Sequence, residues 1–367
     1  MFFHVIVTDD CNLCCSYCRA KIFDVEDDYG KDPGDIDTNI PESIAYPLDN
    51  LYKFLSKDPD PVLTFIGGEP LVRSDLVMEI MDNAPVKRYM IQTNGTLLAK
   101  LPSEYVNKFE TILISVDGSE NLTDTHRGNG VYNTVISTCN LIRENGYTGE
   151  LIARMTVAED TDIYESVTHL SKYFTSIHWQ MDANFSGDYS RRNYSQWMVS
   201  YNRGIHKLVS EWVDRIETTG IIPKWYPFLS TTEDILLGTP SKLRCGSGYT
   251  NYSIMTNGCI IPCPIMIGMA DYYVGHINES DPLNLPKVSV GDPCPNCDIY
   301  SFCGGRCLYS NIVQPWGSHY TLVCDTIREL KTAIMHEVPR LNRLINMGTI
   351  TMDSFKHTRY NGCEIIP

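Results

Sequence analysis

Residues 11–18 read Cys11-Asn-Leu-Cys14-Cys15-Ser-Tyr-Cys18, directly after the apolar run Phe2-Phe-His-Val-Ile-Val7 and the polar turn at Thr8–Asp10. The run is too short for a membrane helix and has no basic lead-in, so it reads as a buried first strand rather than a signal peptide. Three thiolates at C-x3-C-x2-C spacing (Cys11, Cys15 and Cys18) can wrap one corner of a cubane iron–sulfur cluster and leave its fourth iron without a protein ligand. An open coordination site marks a reactive metal centre rather than a structural one. Cys14 also permits a C-x2-C-x3-C reading; the preferred set is Cys11, Cys15 and Cys18, with Cys14 a spare thiol.

Working outward, short apolar runs recur as strand candidates at Phe2–Val7, Val62–Ile66, Tyr89–Gln92, Thr111–Val116, Leu151–Thr156 and Ile177–Met181. Segments of helical periodicity, such as Tyr132–Glu144 and Ile163–Phe174, lie between most of them. Strands alternating with helices imply a parallel sheet, and six such units make an incomplete relative of the eight-fold barrel. In such folds the active site lies at the C-terminal ends of the strands. From about Pro240 the texture becomes rich in Gly, Pro and Cys as far as Cys324, a stretch with little core of its own that metal would hold in shape. A final helix is expected over Thr326–Ile345. Asp24–Pro41, acidic and rich in Gly and Pro, reads as a surface excursion. The expected organisation is residues 1–240 as the partial barrel, 241–330 as the cysteine-rich domain and 331–367 as a helix and tail.

Composition narrows the function. The chain has 367 residues, 43% of them apolar, and a net charge of −15 from 45 acidic and 30 basic side chains. A phosphate backbone requires Lys and Arg to displace its counterions, so nucleic acid is excluded as the expected partner. No stretch reaches the roughly 18 apolar residues of a membrane span, so no membrane partner and a cytoplasmic location are expected. Clustered cysteines in a long chain without an export signal point to metal rather than disulfides.

Sequences at the ends of the other strands carry the identification further. Gly67-Gly68-Glu69-Pro70 follows the second strand, Thr93-Asn94-Gly95 the third, and Ser115-Val-Asp117-Gly118 ends the fourth, with His126-Arg127-Gly128 beyond it. Glycines let a backbone approach a ligand closely, and a glutamate can accept hydrogen bonds from an ammonium group. With the C-x3-C-x2-C loop, these segments resemble the radical S-adenosylmethionine superfamily. The resemblance implies that S-adenosylmethionine chelates the open iron and that Tyr17 sits beside its adenine. It also implies that Gly67, Gly68, Glu69 and Pro70 bind its amino group, and that Thr93, Asn94, Ser115 and Asp117 lie against the cofactor. Arg127, and Arg154 on the fifth strand, are candidates for neutralising its carboxylate, each against an ordinary structural ion pair.

A second array reads Cys245, Gly258-Cys259-Ile-Ile-Pro-Cys263, Cys294-x2-Cys297-x5-Cys303-x3-Cys307 and Cys324. It resembles the SPASM domain, which carries two auxiliary clusters, so three [4Fe–4S] clusters are expected in all. By that resemblance Cys294, Cys297, Cys303 and Cys324 hold the outer cluster, and Cys245, Cys263 and Cys307 hold the inner one. Asn251 stands where related enzymes place the inner cluster's remaining cysteine. Cys259 is a substitute, but in an extended strand residues four apart lie ~13 Å apart, too far for one cubane without a bend. Cys363 or an open iron are the alternatives. Cys139, inside a helix, reads as a core thiol.

The resemblance implies reductive cleavage of S-adenosylmethionine to a 5′-deoxyadenosyl radical that takes hydrogen from a peptide or protein residue, installing a crosslink, epimerisation or oxidation. The expected kin are peptide-modifying SPASM proteins of archaeal type, with a reductant such as ferredoxin or flavodoxin as partner. Formylglycine formation on sulfatases is the alternative, opposed by Pro264 where those enzymes carry an aspartate; a non-catalytic electron carrier is another. Entry into the first strand at residue 2 implies that leader recognition is separate or unnecessary. The aromatic run Tyr173, Trp179, Tyr189, Tyr194, Trp197 and Tyr201 is a candidate peptide groove, against ordinary core.

Overall fold

A computed structural model describes residues 1–18, 34–182, 194–314, 320–358 and 366–367. Among them, strands and helices alternate through the first half: β1 (Phe2–Ile6), α1 (Leu48–Leu55), β2 (Val62–Ile66), α2 (Ser74–Asn83), β3 (Arg88–Thr93), α3 (Ser103–Val106) and β4 (Phe109–Ser115). There follow α4 (Glu120–Arg127), α5 (Val131–Glu144), β5 (Glu150–Val157), α6 (Ile163–Leu170) and β6 (Ser176–Met181). The six expected strands are present, with boundaries moved by one or two residues.

β1 to β6 are hydrogen-bonded in sequence order and all parallel, so each strand–helix unit steps the same way around. That is the winding of a barrel; a doubly wound sheet would reverse its strand order. Among the described residues the sheet's two end strands do not pair, and the barrel is partial. Strand residues alternate between two buried faces, as parallel sheets require. Phe3 meets Phe54 of α1 edge-on at 5.3 Å, while His4, one residue along, is buried and bonded to Asn251.

The rest of the fold depends on contacts distant in sequence. α7 (Tyr194–Thr219), β7 (Lys224–Trp225) and α8 (Tyr226–Leu237) close one side of the barrel. Trp212 of α7 is fully buried and donates to Pro223 O at 2.9 Å, and Trp179 packs edge-on to Phe228 at 5.2 Å. Trp179, Trp197 and Tyr201 are therefore core; Trp179 donates to Tyr201 Oη at 3.2 Å. The candidate aromatic groove is corrected on this point: burying large rings against one another outweighs presenting them to a ligand. Tyr189 and the side chain of Tyr194 lie outside the described residues.

The cysteine-rich segment is joined to the barrel. β8 (Asn251–Ile254) adds in parallel to the free edge of β1, and β9 (Cys259–Ile261) and β10 (Gly275–His276) follow antiparallel, giving a ten-stranded sheet among the described residues. The short helices α9 (Tyr300–Cys303) and α10 (Leu308–Val313) precede α11 (Tyr320–Asn346), which starts earlier than expected. α11 lies along α7, where Arg340 reaches Asp214 at 2.7 Å and Glu217 at 2.5 Å. The described part of the acidic excursion, residues 34–41, lies at the surface with no residue buried, and it is pinned there. Ile36 bridges Met269, Tyr273 donates to Asp37 at 3.0 Å, and Thr256 donates to Pro41 O at 2.5 Å. No helix among the described residues is long and apolar enough to cross a membrane.

Candidate functional site

Beyond the end of β1 the chain does not leave the sheet at once. Val7 N donates to Ile66 O, Gly68 N to Thr8 O and Glu69 N to Asp10 O, at 2.8–2.9 Å, so residues 7–10 run alongside residues 66–69. A Cβ on Gly67 would stand 2.1 Å from Thr8 O, and one on Gly68 2.3 Å from Asp10 O. The two glycines are required by this approach of backbone to backbone. The approach delivers the cysteine loop to the mouth of the parallel sheet.

Glu69 is fully buried. Its Oε1 accepts from Leu71 N at 3.0 Å and Thr93 Oγ1 at 2.8 Å, and its Oε2 accepts from Asn94 N at 2.7 Å. Burial nevertheless pushes its pKa above the usual carboxylate value. A carboxylate offers about four acceptor positions, so these donors leave room for a further one, such as an ammonium group. Pro70 is buried at the start of the turn that Glu69 caps. Asn94 also donates to Asn12 Oδ1 at 2.9 Å and lies 3.9 Å from Cys11 Sγ, so the end of β3 grips the loop.

The loop's other end is held by α4 and the end of β4. Ser16 N donates to His126 O at 2.8 Å, and Ser16 Oγ lies 2.6 Å from His126 Nδ1. Tyr17 donates its hydroxyl to Asp117 Oδ2 at 2.5 Å, and Arg127 forks onto both oxygens of Asp117 at 2.7 and 2.8 Å. Thr156 N donates to Asp117 Oδ1 at 2.9 Å. The Arg127 guanidinium stands 5.4 Å over the Tyr17 ring. Burial alone would lower the pKa of Arg127, but Asp117 holds it above its ordinary value. Arg127 and Tyr17, expected against the cofactor, are thus engaged with Asp117, the hub that sequence reasoning placed only as a cofactor contact. Ser115 is half-buried at the end of β4, beside Arg154 in the sheet. Arg154 meets His178 Nδ1 at 2.5 Å and donates to Gln180 at 2.8 Å, within the barrel wall.

The cysteines fall into three neighbourhoods. Cys11 and Cys15 each lie within electrostatic range of Cys18; Cys14 is exposed and does not join them. Cys263 feels Cys307 and Cys245. Cys303 feels Cys324 and Cys294, and Cys324 also feels Cys297. Burial, with the neighbouring thiols adding, pushes Cys15 and Cys303 up to about 11. Thiols so placed resist becoming thiolates until positive charge sits among them, which is the service a metal cluster performs. Among the described residues no three Cys, His, Asp or Glu side chains converge as a single ion would need. Sets of three and four thiols are the donor type that a [4Fe–4S] cluster would take.

Cys259 is not brought to the inner set. It opens β9, whereas Cys263 lies beyond that strand's other end. It packs beside Ile6, Met255 and Ile261, with Asp37 as its charged neighbour. The extended strand carries Cys259 away from Cys263. Cys259→Ser should therefore leave iron content and the cluster absorption spectrum unchanged; loss of one cluster's iron would return Cys259 to the inner set. Cys363 lies outside the described residues. Cys139 is buried in α5 and pushed up to about 12 by burial.

Several polar partners of the thiols carried no signal in the sequence. Ser247 Oγ lies 3.2 Å from Cys245 Sγ, Asn311 donates toward Cys294 Sγ at 3.4 Å, and Arg328 Nη2 lies 3.6 Å from Cys297 Sγ. Hydrogen bonds of this kind tune a cluster's potential. Arg306, buried and at φ 51°, acts on Cys303 and Cys324 together.

Comparison with known proteins agrees with this arrangement. Residues 5–165 match the radical SAM superfamily. The radical SAM cyclopropyl synthase TigE of Paramaledivibacter caminithermalis is 22% identical over 350 residues, covering 84% of this chain and 69% of that protein. The Fe-coproporphyrin III synthase of Methanosarcina barkeri is 30% identical over 38% of this chain and 33% of its own length. Among solved structures, anSMEcpe with bound AdoMet superposes with a TM-score of 0.68 at 18% identity, over 95% of this chain and 100% of that one. Streptococcus suis SuiB bound to precursor peptide SuiA gives 0.54 at 17% identity, over 83% and 71%.

Proposed function

We propose that this chain, whose residues 5–165 match the radical SAM superfamily, is an enzyme that abstracts hydrogen from a residue of a peptide or protein substrate and so installs a covalent modification. Cys11, Cys15 and Cys18 would hold the reactive [4Fe–4S] cluster. Reduction there, with S-adenosylmethionine bound, supplies the 5′-deoxyadenosyl radical. Glu69 would accept the cofactor's ammonium, and Asp117, through Tyr17 and Arg127, holds the loop that carries the thiols. The observation that carries the reading is the convergence, at the C-terminal ends of parallel strands, of a three-thiol loop on the buried carboxylate of Glu69.

The peptide assignment draws support from relatives of similar fold solved with peptides bound, SuiA with SuiB and Cp18Cys with anSMEcpe. We extend the proposal to two auxiliary clusters, one on Cys245, Cys263 and Cys307 and one on Cys294, Cys297, Cys303 and Cys324, within residues 241–330. Reconstituted protein should then hold about twelve irons, three cubanes of four. Reduced with dithionite, it should convert S-adenosylmethionine to 5′-deoxyadenosine. Four irons, with zinc in the remaining thiols, would remove the auxiliary clusters from the proposal.

A further inference from the structure

A groove of about 1550 Å³ opens at the end of the barrel away from the cysteine loop. It is lined by the N-terminal ends of β4 to β7, through Phe109, Glu150, Ser176 and Lys224. The loop of Cys11–Cys18 and the Glu69 turn stand at the C-terminal ends, and a strand of 8 residues such as β5 separates the two levels by roughly 25 Å. A group bound in the groove does not reach the radical site.

The lining has a charge opposite to that of the molecule. Lys87, Lys108, Arg143, Arg215 and Lys224 face it, against two carboxylates, Glu110 and Glu150. Both carboxylates are already engaged: Glu110 by the fork of Arg88 at 2.7 and 3.0 Å, Glu150 by Lys224, Ser176 and Tyr226. Lys108 pairs with Asp82 and Arg215 with Glu211. Lys87 and Arg143 are exposed, and among the described residues neither has a carboxylate partner; Arg143 donates to Tyr173 O at 2.9 Å and stands over the Phe174 ring. Apolar surface lies between the charges: Tyr173 is 40% and Ile221 69% exposed, beside the half-buried Ile222. Net charge of −15 makes a basic, apolar-floored patch on this chain a local exception.

We propose that this groove docks an acidic stretch of polypeptide whose carboxylates are spaced by apolar residues. Resting on the peptide reading above, it is the part of the substrate that is held but not modified. The volume exceeds the roughly 300–1,000 Å³ of sites for single small molecules and suits several residues of extended chain. Separating docking from chemistry lets remote binding energy hold the substrate.

The test uses the intact enzyme and a fluorescein-labelled peptide of repeating Glu-Leu-Glu-Phe units, followed by fluorescence anisotropy. Binding should weaken with salt, and Lys87→Glu with Arg143→Glu should weaken it at least about tenfold, because two attractions become repulsions. Lys87→Ser with Arg143→Ser should weaken it less, and neither pair should change peptide-independent cleavage of S-adenosylmethionine. No binding, equal binding of the Lys-for-Glu peptide, equal binding of oligothymidylate, or indifference to both pairs of substitutions would overturn the docking site. Charge-dependent binding by a chain that, reconstituted and reduced, forms no 5′-deoxyadenosine from S-adenosylmethionine would keep the groove and overturn the radical-enzyme reading on which the substrate's role rests.

Discussion

Replacing Cys11, Cys15 and Cys18 together by alanine should abolish reductive cleavage of S-adenosylmethionine and lower the iron content by about one third, one cubane of three. The three thiols sit on the loop that Glu69, Asn94, Asp117 and His126 hold at the mouth of the sheet, and the auxiliary sets lie on other segments of the chain. Cys14→Ala in the same assay should behave as the parent, because Cys14 is not among the thiols that act on Cys11 and Cys15. Product formation at the parental rate in the triple variant would place the radical chemistry elsewhere.

Asp117→Ala should be the most destabilising single substitution near the site, costing about 3–5 kcal/mol in denaturant unfolding. It leaves the Arg127 charge buried without its partner. Asp117 is 0% and Arg127 7% exposed, and the same carboxylate receives Tyr17 and Thr156 N. Adding Arg127→Met to Asp117→Ala should recover part of the loss, since an apolar pair of similar volume replaces the stranded charge. Tyr17→Phe should cost about 1–3 kcal/mol, the order of one buried hydrogen bond to a charged group. If Asp117→Ala unfolds at the parental denaturant concentration, Asp117 is not the hub of this loop.

Much was legible before any coordinates. The six strands show because each buries both faces and so reads as an apolar run with a helical segment after it. The winding follows from that alternation. The cysteine groups show because their spacing is local, and local spacing survives folding. Even the argument against Cys259 is local, resting on the rise of an extended strand.

Other features depended on residues far apart in the chain. That β8 pairs with β1 joins residues about 250 apart, and no periodicity near Asn251 announces it. That Thr8 and Asp10 press against the glycine pair at 67–68 likewise shows only in space. That Tyr17 and Arg127 share Asp117 as a partner shows only in space. The basic groove is assembled from Lys87, Arg143 and Lys224, spread over a span of more than a hundred positions in an acidic chain, so composition conceals it. Short-range pattern determined which elements form and which thiols could share a cluster; only tertiary structure decided which charges meet, because pairing depends on distance in space and a sequence records only order along the chain.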